Sequence, residues 1–196
     1  MKWIVVTAPE FIEGEAEFID RLFVHGLDVL HFRKPGSDIT GCRRLLDRID
    51  KKWRAQIVVH DHFALCREYR LRGVHLNGRN PQPPLGHEGT VSRSCHSLEE
   101  IAKYKASCNY TTLSPIFNSI SKQGYISPFT AQQLLSARAN GLIDNKVIAL
   151  GGITLQNIPQ VREYGFGGAA ILGDVWQRMA DKGVDEYLDH MRSALE

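Results

Sequence analysis

Short apolar, β-branched runs alternate with helical stretches along the whole chain. Trp3-Ile-Val-Val-Thr7 predicts a first strand. From Glu13 to His25 the residues Phe18, Ile19, Leu22 and Phe23 recur at helical spacing, and Gly26 is a suitable stop. Further strands are predicted at 28–32, 57–60, 73–76, 90–94, 109–113, 147–150 and 168–172. Helices are predicted from Asp38 to about Lys52, from His62 to Tyr69, from Ser97 onward and from about Pro128 to Ala139, with a closing helix from Asp174. The stretch from Asn77 to Gly89 carries three prolines and three glycines and reads as a loop where the rhythm calls for a helix. Ser114 to Ser127 reads as a long polar loop.

Eight strands separated by helices, at roughly 24 residues per unit, imply a parallel sheet. Their near-continuous apolar character fits burial on both faces. A closed (β/α)8 TIM barrel, one α/β domain over residues 1–196, fits the count. An open doubly wound sheet would want a glycine fingerprint after the first strand, where Ala8-Pro9 stands.

The net charge of +2 removes one class of partner. Arg43-Arg44 and Lys51-Lys52-Trp53-Arg54 read as a solvated helix face, so no nucleic acid is expected. No apolar run reaches membrane length, and Met1-Lys2-Trp3 leads into a strand with no signal-peptide pattern. Cys42, Cys66, Cys95 and Cys108 lack C-x-x-C spacing. The expectation is a cytoplasmic protein with reduced thiols and no zinc site.

In a barrel, chemistry lies at the C-terminal strand ends. Two glycine-rich turns there, Ala149-Leu-Gly-Gly-Ile153 and Gly165 to Gly173, predict strands that open into helices through bare N–H groups, a phosphate cup. The other strand ends offer His31 and Arg33; His60, Asp61 and His62; His75, Asn77 and Asn80; Ser94 and His96; then Ser114, Ser119, Ser121 and Lys122. This rim suits a multiply phosphorylated ligand. Lys122 with Ser119 and Ser121 reads as a phosphate clamp. His60, Asp61 and His62 cannot all ligate one metal, since neighbours on a strand face opposite ways, which leaves Asp61 as a candidate Mg²⁺ ligand. His25 and His190 read as solvated.

The segments Val29-Leu-His-Phe-Arg33, Val58-Val-His-Asp61, Gly73-Val-His-Leu76, Ser94 to Glu100, Ser114-Pro-Ile-Phe117, Lys122 and Ala149 to Ile153 resemble, in order and spacing, thiamine phosphate synthase and its sister branch, the thiazole tautomerases. The resemblance implies a barrel, often dimeric, that joins hydroxymethylpyrimidine diphosphate to a thiazole phosphate and releases pyrophosphate. It implies Arg33, Ser119, Ser121 and Lys122 on the diphosphate, and Mg²⁺ on Asp61 with help from Asn80. Ser94 is matched on the fifth strand. Gly151, Gly152, Leu172 and Gly173 fall on the thiazole-phosphate turns. His31 and His60 replace the family's glutamine and asparagine. Pro35 replaces a lysine, with Lys34 one place off as its stand-in. Asn80 replaces an aspartate. Two further functions stand beside the synthase: a tautomerase-type isomerase with His31 or His60 as base, and a binder of phosphorylated ligands without chemistry. Pro115 is the synthase form of a position where the tautomerases carry histidine.

Overall fold

The computed structural model describes residues 1–118 and 127–196. Ser119, Ser121 and Lys122 lie outside the described residues. The strands are β1 (Lys2–Val6), β2 (Val29–Phe32), β3 (Ile57–Val59), β4 (Gly73–Leu76), β5 (Thr90–Cys95), β6 (Tyr110–Leu113), β7 (Val147–Leu150) and β8 (Gly168–Ile171). They pair in parallel, in chain order, and β8 closes on β1, so the chain folds as the expected (β/α)8 barrel.

The period of two sorts each strand between two cores. Ile4, Val6, Val29, Val58, Tyr110, Ile148 and Ala170 form one cluster inside the barrel. Their neighbours Val5, Leu30, Val59, Ala149, Ala169 and Ile171 join the larger core between strands and helices. Above the inner cluster the wall is divided. His31, His60, His75, Ser94 and Thr112 make its β2 to β6 side polar, while Val6, Leu150, Ala170 and Leu172 keep the β7, β8 and β1 side apolar.

The helices are α1 (Glu15–Val24), α2 (Ile39–Arg48), α3 (Ala64–Glu68), α4 (Leu98–Tyr104), α5 (Ala131–Ala139), α6 (Ile158–Glu163), α7 (Gly173–Trp176) and α8 (Val184–Leu195). Asp38 caps α2 by accepting from the Gly41 N–H, and Ser97 caps α4 by accepting from the Glu100 N–H. Among the described residues no helix is long and apolar enough to cross a membrane.

Several helix bounds differ from the pattern. α2 stops at Arg48 because Ile49 turns extended to bury its side chain, and a 3₁₀ segment, Lys51–Gln56, follows from the Asp50 cap. α5 starts at Ala131, where Thr130 and Gln133 form a capping box. The closing helix is two helices, α7 and α8, separated by residues 177–183. His25 is not solvated in isolation: its ring bonds Asp185 (2.9 Å) and Asp189 (2.6 Å) on α8.

Candidate functional site

The strand ends enclose a cavity of about 540 Å³. That size suits small organic ligands. Its wall includes His31, Arg33, His60, Ser94, Gly151, Gly152, Leu172 and Gly173, so these predicted residues do meet. Asp61 and Asn80 stand beside it, bonded to each other, and Asp61 also accepts from Arg79, which is part of the wall.

The glycine turn after β7 is built by backbone necessity. Gly151 and Gly152 have φ of +94° and +65°. A Cβ on Gly152 would stand 2.4 Å from the Asn118 carbonyl oxygen, and one on Gly151 would stand 2.8 Å from Pro115. Their carbonyls hold neighbouring chain: Phe117 N–H donates to Gly151 (3.0 Å) and the Asn157 amide donates to Gly152 (2.8 Å). The N–H groups of Gly151, Gly152 and Gly173 donate to no backbone or side-chain group among the described residues. They are free to bind an anion. This turn does not open straight into α6, since a 3₁₀ segment, Leu155–Asn157, intervenes. Asp174, just past Gly173, accepts from Leu155 N–H (3.4 Å) and Tyr187 O–H (2.8 Å), which ties the two turns together.

The cavity wall also carries a histidine cluster that the strand-by-strand reading did not assemble. His60 Nε2 is 2.9 Å from His31 Nδ1, and His31 Nε2 is 2.6 Å from the Tyr110 hydroxyl. His75 bonds Ser92 and Ser94, each at 2.8 Å. Burial holds His31 down to about 3, with the Arg72 charge adding, and holds His60 and His75 well below the ordinary histidine value. Burial pushes the Tyr110 phenol up to about 12. The cluster is therefore a neutral network at physiological pH. The signal for it was the inward parity shared by His31, His60 and His75, which needs the barrel's stagger to become contact. Thr112 also lines the cavity unforeseen, with a buried hydroxyl that has no partner among the described residues.

Arg33 is half-buried at the mouth, and its guanidinium has no partner among the described residues. Lys34 points the other way. Its ammonium is buried against Glu15 (2.6 and 2.7 Å) and the Ala8 and Glu10 carbonyls. It cannot stand in for the lysine absent at Pro35. His62 is also turned aside, bonding the Ser37 carbonyl at 2.8 Å.

Asp61 and Asn80 do meet, with the polarity of a donor site. Asp61 Oδ1 accepts from Asn80 Nδ2 (3.1 Å) and from Arg79 Nη2 (3.1 Å). The Asn80 amide also donates to the His60 carbonyl (3.1 Å). Two acceptors facing one amide end identify that end as NH₂. Mg²⁺ requires oxygen ligands in a near-octahedral set. This arrangement offers one carboxylate already faced by N–H groups, which does not fit that ion.

Fold and site together define a (β/α)8 barrel with a cavity at its strand ends, rimmed by glycine turns. The chain belongs to the thiamine monophosphate synthase family, whose profile matches residues 3–175. A thiamine-phosphate synthase from Nitrosococcus oceani is 27% identical over 164 residues, covering 78% of this chain and 73% of the relative. The crystal structure of a thiamine phosphate pyrophosphorylase from Bacteroides thetaiotaomicron superposes with a TM-score of 0.89 at 41% identity, covering 99% of this chain and 97% of that one. A thiamine phosphate pyrophosphorylase from Pyrococcus furiosus gives a TM-score of 0.78 at 18% identity, over 98% of this chain and 94% of that one, a likeness of fold.

Proposed function

We propose that this chain joins hydroxymethylpyrimidine diphosphate to a thiazole phosphate, forming thiamine phosphate and releasing pyrophosphate. One observation carries the reading: a single cavity is lined both by the Arg33 guanidinium and by glycine turns with bare N–H groups. Arg33 stands at the end of β2, and the Gly151-Gly152 and Leu172-Gly173 turns stand at the ends of β7 and β8, with β1 between β8 and β2 and all of them lining one cavity. Two phosphorylated reactants can then face each other between them.

The bond from the pyrimidine methylene carbon to the diphosphate oxygen breaks, and the oxygen keeps the electron pair. The thiazole nitrogen lone pair forms the new C–N bond and becomes a thiazolium. No proton transfer is needed. Arg33 binds the departing diphosphate and offsets its growing charge, with Ser119, Ser121 and Lys122 assigned to the same end. The bare N–H groups of Gly151, Gly152 and Gly173 hold the thiazole phosphate. Ser94, fixed by His75, stands at the cavity wall as a hydroxyl contact for the pyrimidine side. When the C–O bond breaks first, the pyrimidine methylene carbon is left as a cation, and Val6, Leu150 and Ala170 on the apolar wall exclude water from it. Neutral histidines suit this chemistry, since an added positive charge would oppose the cation. They suit the isomerase alternative poorly, because burial disfavours the protonated form of both rings and makes them weak bases. Four free, buried thiols support a reducing, cytoplasmic setting.

The test is coupling of the two substrates by the full chain, with thiamine phosphate identified as product. Its formation supports the reading. Tight binding of both phosphates without product overturns it in favour of a binder, and conversion of the thiazole phosphate alone overturns it in favour of an isomerase.

A further inference from the structure

The turn after β4 holds a cation where the resemblance implies a metal. Asn77 builds this turn. Its side-chain oxygen accepts from the N–H groups of Arg79 (2.9 Å) and Asn80 (3.1 Å), and its own N–H donates to the Asn80 carbonyl (3.1 Å). The Asn77 amide also donates to the His60 carbonyl (3.1 Å), which fixes the turn to the end of β3. Arg79 is thereby aimed at Asp61. Its Nη2 reaches both carboxylate oxygens, at 3.1 and 3.3 Å, and its Nε lies 3.4 Å from Oδ1. Only part of the guanidinium is used. The side chain is 56% exposed and forms part of the cavity wall together with Arg33 and Arg93, against one lining carboxylate, Glu100.

The charge balance points to a ligand. Asp61 compensates a single guanidinium, and Arg33 has none of its own among the described residues. Burial first, and next the Arg79 charge, lower the Arg33 pKa against a raising pull from Asp61, so Arg33 and Arg79 share one nearby carboxylate. A polyanion relieves this, and guanidinium forks match phosphate oxygens. Replacing the expected second carboxylate by the Asn80 NH₂ adds a donor where a metal would need an acceptor.

We propose that Arg79, braced by Asp61 and Asn80, is the cation that grips the diphosphate end of the ligand together with Arg33, making this a metal-independent diphosphate site. The proposal rests on the reading of the site as a diphosphate acceptor. In the reaction above, Arg79 binds the diphosphate oxygens as they take the electron pair from the C–O bond.

The experiment is calorimetric titration of inorganic pyrophosphate into the full chain, at matched ionic strength, with a chelator and then with Mg²⁺. Wild type is expected to bind in chelator within about threefold of its affinity in Mg²⁺. Arg79→Ala is expected to lose at least about tenfold in chelator, the scale of a charge-assisted hydrogen bond. Arg79→Ala with Asn80→Asp is expected to regain binding only with Mg²⁺. Arg79 is exposed, so an unchanged melting temperature accompanies the loss. Wild-type binding that requires Mg²⁺, no wild-type binding at all, or an Arg79→Ala affinity equal to wild type overturns the proposal. Chelator-resistant pyrophosphate binding without substrate coupling would leave this site standing and remove the synthase reading. Coupling with Mg²⁺-dependent pyrophosphate binding would do the reverse.

Discussion

His31 and His60 share a hydrogen bond 2.9 Å long between Nδ1 and Nε2, inside a barrel whose inner cluster is otherwise built from valine, isoleucine, alanine and Tyr110. Both rings stay neutral in the folded protein, as does His75. The unfolded chain takes up protons at these rings below about pH 6.5, and the folded one does not. Stability is therefore complete above that pH and is lost as pH falls toward the folded values, about 3 for His31. The slope reaches up to about 1.4 kcal/mol per pH unit for each ring. Urea unfolding at pH 7.5, 6 and 5 checks this, and His75→Gln should flatten the curve. A stability that does not change from pH 7.5 to 5 would contradict it.

Lys34 and Glu15 form an ion pair with side chains 0% and 1% exposed. Removing one member leaves the other charge buried and alone. Lys34→Met should cost about 3–5 kcal/mol, and the double change Lys34→Met, Glu15→Leu should recover most of it. Chemical denaturation measures both. If Lys34→Met instead weakens pyrophosphate binding at unchanged stability, the residue acts in the site.

Two glycines at similar φ separate strain from collision. Gly141 (φ +69°) has nothing within 4 Å of an added Cβ, whereas Gly152 (φ +65°) would meet the Asn118 oxygen at 2.4 Å. Gly141→Ala should cost about 1 kcal/mol, and Gly152→Ala clearly more. Gly152→Ala should also weaken thiazole-phosphate binding, which Gly141→Ala should leave unchanged. Thermal melts and a binding titration read the two effects.

Arg33→Ala should reduce diphosphate-substrate affinity by roughly 10- to 100-fold, from the loss of a charge-assisted contact. Thiazole-phosphate binding, assigned to the turns after β7 and β8, should change little. Equal losses for both ligands would mean that the two ends of the cavity are not independent.

What the sequence determined by itself was the barrel and its punctuation. Strands buried on both faces are largely apolar, so runs such as Val147–Leu150 were legible, while the more polar β5, Thr90–Cys95, was legible from its place in the rhythm, and the Asp38 and Ser97 caps had local signatures. The Gly151-Gly152 turn was legible because positive φ at two successive positions strongly favours glycine. Which side chains meet was decided only by closure. Arg33 and Lys34 are neighbours in sequence, yet one reaches the cavity and the other a buried glutamate. His31, His60 and Tyr110 come from three strands, and the stagger of the closed barrel brings them together. Asp61 was read as a metal ligand from its type and position, while its partner Arg79 passed unnoticed in a loop. Residue type records what a group can bind. The path of the chain decides which partner reaches it first, and here a guanidinium is tethered 3.1 Å from the carboxylate.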